Sequence, residues 1–182
     1  MKDAELPSPV SFVANVARLP QKGLPVVVEA DGRQREALAA EHDLLSVENY
    51  RAELLVVSWK RNGVKVTGRV EADITQACIV TLEPVTAHID EPVEALFLPE
   101  RSKLGREGFE AGGEIILDAD GPDSPETFFG DTIDVGALAE QFFGLAIDPY
   151  PRKQGVSLDI GGDDQSEESE FQKKLRSLLG KS

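Results

Sequence analysis

Cysteine occurs once in this chain, at Cys78, and histidine twice, at His42 and His88. A lone cysteine excludes an intramolecular disulfide framework. The two histidines stand 46 positions apart, and neither belongs to a recognisable metal-binding motif. The chain has no Gly-x-Ser-x-Gly elbow, no glycine-rich phosphate loop and no His-Glu-x-x-His helix. Cys78 has no activating base near it in sequence, so a structural thiol is expected rather than a nucleophile. Nothing therefore points to an enzyme, a metal, a cofactor or a small-molecule substrate. No run of about 18 apolar residues exists, so no membrane-spanning helix is expected. The opening MKDAELPSPVSF lacks the apolar segment of a secretory leader, and a cytoplasmic location is expected.

Cations are also scarce. Nineteen basic residues face 33 acidic ones, for a net charge of −14. Such a chain repels phosphate backbones overall, and any nucleic-acid contact has to come from a local basic patch.

What the sequence does have is concentrated between Arg51 and Pro92. Two β-rich runs flank Asn62-Gly63, the strongest short hairpin signal, because both central residues of a type I′ turn need φ > 0. A two-residue loop pairs Arg61 with Val64, Trp59 with Val66, Val57 with Gly68 and Leu55 with Val70. That set is mostly apolar and the intervening set mostly polar, as a half-buried ribbon requires. Gly68 marks a close approach or a bulge. The hairpin is expected over Glu48–Thr75, followed by a turn through Cys78 and strands over Val85–Ile89 and Val93–Leu98, with Pro92 interrupting.

The remaining elements follow from period and punctuation. Val10–Leu19 and Leu24–Ala30 read as strands. Asp31 caps a shorter N-terminal helix running to about Asp43, with His42 facing solvent near its end. Asp134 caps a helix over Val135–Ile147, whose apolar stripe is Val135, Leu138, Phe142 and Leu145, with Phe143 off the stripe and exposed. Asp148-Pro149 ends it. The expected fold is α+β: a mainly antiparallel, curled sheet of about six strands, one packed C-terminal helix and the shorter N-terminal one.

The domain organisation read from composition is a flexible N-terminus over 1–9, a single domain over 10–153 and a flexible acidic tail over 154–182. The tail carries one candidate helix, with a narrow stripe of Phe171, Leu175, Leu178 and Leu179. Within the domain, about 100–131 is a Gly-, Pro- and acid-rich loop, with Glu114–Leu117 as a short strand inside it. From Glu100 to Asp134 ten acidic residues face three basic ones, half of the chain's whole excess. Asp118, Asp120 and Asp123 loosely resemble a calcium loop, but Pro122 and Pro125 break it and the closing glutamate is missing.

Against this acidity the hairpin tip is basic. Lys60, Arg61 and Lys65 lie within six residues, and Arg69 follows on the same outward face. Lysines on exposed strands commonly block edge-to-edge association. The competing reading is a contact with phosphate or with an acidic partner. Arg152 and Lys153 join it if the fold brings them near.

One further pattern spans segments. Val66-Thr67-Gly68-Arg69-Val70, then Cys78-Ile79-Val80-Thr81-Leu82-Glu83-Pro84-Val85, then Ile133-Asp134-x-Gly136 and Ala146 to Lys153 resemble the YceD family, closest to its alphaproteobacterial branch. Cys78, Leu82, Glu83 and Pro84 carry its short motif. The resemblance covers about Val10 to Lys153. It implies a role in accumulation of large-subunit ribosomal RNA, and partners in the pre-ribosomal large subunit, reached through RNA or a basic ribosomal protein. It brings no enzymatic activity with it. Many relatives carry Cys-x-x-Cys here and a second cysteine pair after the C-terminal helix, a spacing that suits zinc. In this chain Thr81 stands at the second position and Tyr150-Pro151-Arg152-Lys153 holds no cysteine, so no metal is expected. The alternative is a general protein-interaction module acting through the acidic loop or the C-terminal helix.

Overall fold

The computed structural model describes residues 7–60, 62–100 and 125–153. The expected strand at Glu114–Leu117, most of the acidic loop and the tail helix lie outside the described residues. The chain divides into two compact units, Met1–Arg152 and Lys153–Ser182, and the first holds every element named here.

Five strands form one open sheet in the order β2-β3-β4-β5-β6: β2 (Leu24–Glu29), β3 (Ser46–Trp59), β4 (Gly63–Ala77), β5 (Pro84–Pro99) and β6 (Glu126–Phe128). All neighbours are antiparallel except β5 and β6, which run parallel through Phe97–Pro99 and Glu126–Phe128. A separate two-stranded ribbon joins β1 (Val13–Asn15) to β7 (Thr132–Asp134). Among the described residues there are two helices, α1 (Gly32–Glu41) and α2 (Val135–Ala146). The class is α+β and mainly antiparallel. The single six-stranded sheet expected is instead five strands plus a ribbon, because β1 is three residues long and pairs away from the main sheet. Pro92 does not break β5. It pairs with Arg69 where β5 has no second described neighbour, the edge position at which a strand tolerates proline.

The hairpin forms, but in another register. Trp59 pairs with Gly63, Val56 with Val66, Leu54 with Gly68 and Ala52 with Val70. The loop therefore holds three residues, and Lys60 takes the left-handed conformation at φ 50°. The odd shift keeps the face of β4 and reverses that of β3. Tyr50, Ala52, Leu54 and Val56 are buried, while Leu55 is exposed. The local pattern could not decide this, since Leu54-Leu55-Val56-Val57 is apolar on both faces. Gly68 is a close approach, as expected: a Cβ there would stand 2.0 Å from the Glu53 carbonyl oxygen.

Each helix starts where a carboxylate stops its first N–H groups from going unbonded. At α1 the box is reciprocal: Asp31 accepts from the Gln34 N–H at 2.9 Å, and the Gln34 side chain accepts from the Asp31 N–H at 2.8 Å. At α2 the cap is Asp134, which accepts from the Ala137 N–H at 2.9 Å. The buried face of α2 is Val135, Leu138, Ala139 and Phe143, in one cluster with the inward residues of β3, β4 and β5. The expected stripe is wrong at its far end. Phe143 is 0% exposed and meets Tyr50 edge-on at 5.4 Å, whereas Leu145 is 83% exposed. The core turns the helix toward the Tyr50 ring, one position round from the heptad-like reading.

Asp134 does more than cap. It also accepts from the Phe12 N–H at 2.9 Å and from the Ser11 hydroxyl, so it ties the N-terminal segment to the start of α2. Ser8 and Pro9, expected with the frayed terminus, are likewise held. The Ser8 carbonyl accepts from the Ser11 N–H, and the Pro9 carbonyl accepts from the Gln34 side chain at 2.9 Å. Partial burial raises the Asp134 carboxyl, but the bonds from Ser11, Ala137, Phe12 and Gly136 outweigh it and hold it below its ordinary value. A depressed carboxylate stabilises the fold above its unfolded pKa and loses that contribution as pH falls through the folded one. Asp134→Ala should cost about 2 kcal/mol, and Asp134→Asn less. In chemical denaturation, the gap between wild type and Asp134→Asn should narrow below about pH 4. Gly68→Ala should cost at least about 3 kcal/mol, because backbone rather than a flexible side chain must move.

Candidate nucleic-acid interface

The outward face of the sheet is charged, and its charges are largely matched across strands. Arg51 bonds Glu29 and Glu53. Lys65 meets Glu94 at 2.6 Å. Arg69 meets Asp90 at 3.0 Å and Glu71 at 3.7 Å. His88 meets Asp73 at 2.7 Å, a bond that raises the imidazole pKa. Such exposed pairs add little stability, about 0–1 kcal/mol each, but they cancel the local field. Two of the expected contact residues, Lys65 and Arg69, are thus neutralised in place.

The hairpin tip differs. Lys60 is exposed and stacks its ammonium over the Trp59 ring at 4.2 Å, with no carboxylate bound to it among the described residues. Arg61 lies outside the described residues. Arg152 is exposed but does not join the tip. The Pro151 carbonyl beside it accepts from the Ile79 N–H at 3.0 Å, and Ile79 follows the far end of β4 from the tip. Lys153 is exposed and begins the second unit.

Sequence reasoning missed what the ribbon adds to the tip. A cleft of about 450 Å³ opens there, lined by Ser58, Asn62 and Gly63 of the hairpin, by 16–19 after β1, and by Pro99, Phe128, Gly130 and Asp131. The Val16 N–H donates to the Asp131 carbonyl at 2.8 Å and fixes the two loops to each other. Arg18 lines this cleft, is exposed, and has no ion pair among the described residues. Phe129 stands between two lining residues and is 69% exposed. No local signal marked either residue, since β1 and β7 are three residues each.

A second cleft, about 650 Å³, lies between α1 and α2 and is lined by Ser8, Glu41, His42, Glu140, Gln141, Gly144 and Leu145 among others. His42, expected to face solvent, is largely buried. Its Nε2 meets Glu140 Oε1 at 3.2 Å, and its ring packs edge-on against Phe143 at 5.1 Å. The ring fits because Gly144 has no side chain where a Cβ would come within 2.9 Å of it. Burial raises the Glu140 carboxyl, but bonds from His42 and Ser8 and the His42 field more than offset this and lower it. Beneath, the Tyr50 hydroxyl is buried with no hydrogen-bond partner among the described residues. Burial, then the Glu140 charge, pushes its pKa up. These contacts describe a polar seam between helices.

The motif around Cys78 shapes a turn. The Cys78 N–H donates to the Glu83 carbonyl at 2.8 Å, and the Leu82 N–H to the Cys78 carbonyl at 2.9 Å, with Leu82 left-handed at φ 60°. Cys78 is 0% exposed. This turn lies against the chain after α2, through Ile79–Pro151 and the Gln76 side chain donating to the Asp148 carbonyl at 2.9 Å. The Cys78 turn and the segment after α2 are therefore neighbours. The donor set does not fit zinc, because the only thiol is Cys78 and the facing segment offers none. Among the described residues no three His, Cys, Asp or Glu side chains converge on a metal site. Purified protein should carry far less than one zinc per chain, and dialysis against a chelator should leave its melting temperature unchanged. Stoichiometric zinc by elemental analysis would overturn this account.

Among the described residues no helix is long and apolar enough to cross a membrane. Comparison with curated proteins and with solved structures gave no match. Residues 66–177, well over half of the chain, match the family model described as large ribosomal RNA subunit accumulation protein YceD. With most of its β4 strand, its Cys78 turn and its Asp134-capped helix inside the matched span, the chain belongs to the YceD family.

Proposed function

We propose that this protein is a non-enzymatic, cytoplasmic factor in ribosome biogenesis that supports accumulation of large-subunit ribosomal RNA. Family membership is the single observation that carries this reading. The chemistry of the described residues supports it from another side. His42 is engaged with Glu140, His88 with Asp73, and the Cys78 thiol is closed to solvent. The partner is the pre-ribosomal large subunit, reached through RNA or a basic ribosomal protein.

A specific observation favours a second reading, a protein-binding module. Leu45, Ile79, Leu82, Leu145 and Tyr150 are half of the ten large exposed apolar side chains among the described residues. All five belong to segments at the end of the fold opposite the hairpin tip. Leu45 bonds Thr75 late in β4, Ile79 bonds Pro151, and Leu145 follows the glycine that packs on His42. The acidic loop and tail helix expected to serve this role lie largely outside the described residues.

Affinity purification of the tagged full chain from growing cells, with and without ribonuclease, separates the two readings. Large-subunit RNA that co-purifies and is lost with ribonuclease supports the first. Protein partners that survive ribonuclease support the second. Deleting the gene should lower large-subunit RNA relative to small-subunit RNA by at least about twofold, and an unchanged ratio would remove the first reading.

A further inference from the structure

We propose that the cleft between the hairpin tip and the β1–β7 ribbon binds single-stranded RNA. Arg18 and Lys60 hold its phosphodiester backbone, and Phe129 stacks on a base. The inference rests on the RNA-linked reading of function and assigns it a place and a chemistry. Arg18 lines the cleft, Lys60 and Phe129 each stand between lining residues in the chain, and three observations carry the inference.

The first is charge. The outward basic residues of the sheet are spent on carboxylates, Lys65 on Glu94 and Arg69 on Asp90 and Glu71. Arg18 and Lys60 have no such partner among the described residues, and Lys22 in the adjoining turn is exposed as well. In a chain of net charge −14, a local group of unpaired cations is where an anionic backbone can approach.

The second is an aromatic in the open. Phe129 is 69% exposed, in the three-residue connection between β6 and β7. Gly130 follows it in the left-handed region at φ 71°, which turns the chain sharply and leaves the ring outside the core. A carboxylate-rich peptide has no need of an exposed ring beside cations. A nucleic acid has bases to stack there, and single strands present them unpaired.

The third is a built opening. The cleft of about 450 Å³ has backbone and small polar groups on its walls, Ser58, Asn62, Gly63 and Gly130 among them. Its geometry is fixed by the Val16–Asp131 backbone bond rather than left to loose loops. One carboxylate, Asp131, also lines it and opposes an anion. Removing that charge should therefore tighten binding.

The test uses the full chain and a fluorescently labelled single-stranded RNA of mixed sequence, read by anisotropy across a salt series. Arg18→Glu and Lys60→Glu should each weaken binding at least tenfold, and each should reduce the salt slope by about 0.7, as one lost phosphate contact does on a single strand. Phe129→Ala should weaken it about tenfold with the salt slope unchanged, which separates stacking from charge. Asp131→Asn should bind more tightly. Arg33→Glu, on α1 and away from the cleft, is the matched charge reversal and should bind as wild type does. Matching melting curves establish that each variant is folded. The inference is overturned if Arg18→Glu and Lys60→Glu bind no worse than Arg33→Glu. It is equally overturned if Phe129→Ala is neutral while a poly-glutamate peptide competes as well as RNA, which would make the site one for an acidic protein. Restoring each gene to a deletion strain keeps the two claims apart. If deletion lowers large-subunit RNA and the tip variants restore it fully, the functional reading stands and the cleft assignment falls.

Discussion

The Asp134 carboxylate is the constraint on which the arrangement of this molecule depends. It caps α2, bonds the Phe12 N–H and holds the Ser11 hydroxyl, joining residues 122 and 123 positions apart in the chain. The ribbon of β1 and β7 ends on it, with Val13 opposite Asp134. A two-stranded ribbon of three residues a side is not stable alone. It persists because one anchored end places Val13–Asn15 against Thr132–Asp134, and the Val16–Asp131 bond then continues the pairing toward the hairpin tip. The loops that wall the tip cleft are thus positioned by a helix cap at the other end of the ribbon. A carboxylate suits this work, because several N–H and O–H donors converge on it and each favours its charged form.

Charge follows a similar economy of position. The excess of acid is a global property, but the fields that a partner meets are local. Across the outward face of the sheet, register sets Glu53 opposite Arg69 and Arg51 opposite Glu71, and diagonal neighbours complete the pairs. A like-signed strip along these strands would repel itself, while alternation removes the strip as a binding surface. What survives cancellation is at the tip, where the ladder ends and no strand remains to offer a carboxylate to Lys60.

How much of this was legible in the sequence depended on how local each signal was. Asp31 and Asp134 announced their helices because a cap acts over three residues, and β2, the hairpin and α2 were placed within a few residues. The register of β3 was not legible. Asn62-Gly63 favours a two-residue loop, and Leu54-Leu55-Val56-Val57 satisfies either face, so the turn motif alone chose, and it chose a pairing three positions off. Tertiary packing chose otherwise, with Tyr50 and Phe143 meeting across the core and drawing Tyr50, Ala52, Leu54 and Val56 inward. The same contact explains why Phe143 is buried where the period favoured Phe142 and Leu145. At the candidate site the basic tip was visible, since it is contiguous. Arg18 and Phe129 were not, because 111 positions separate them and strands too short to show a period bring them together.

The family match covers only part of the cleft. The matched span starts at Val66, so β1, β2, α1, all of β3 and the first three residues of β4 precede it. Arg18 and Lys60 therefore lie before the match, whereas Phe129 and Asp131 lie within it. Membership of the family rests on the Cys78 turn, β4, β5 and α2, which form one half of the architecture. The cleft is made where the other half closes onto it, with the segment after β1 and the hairpin tip completing a wall that the matched segment supplies only in part. The family match and the cleft thus rest on different parts of the chain. Substitutions at Arg18 act on the second without touching any residue that carries the first.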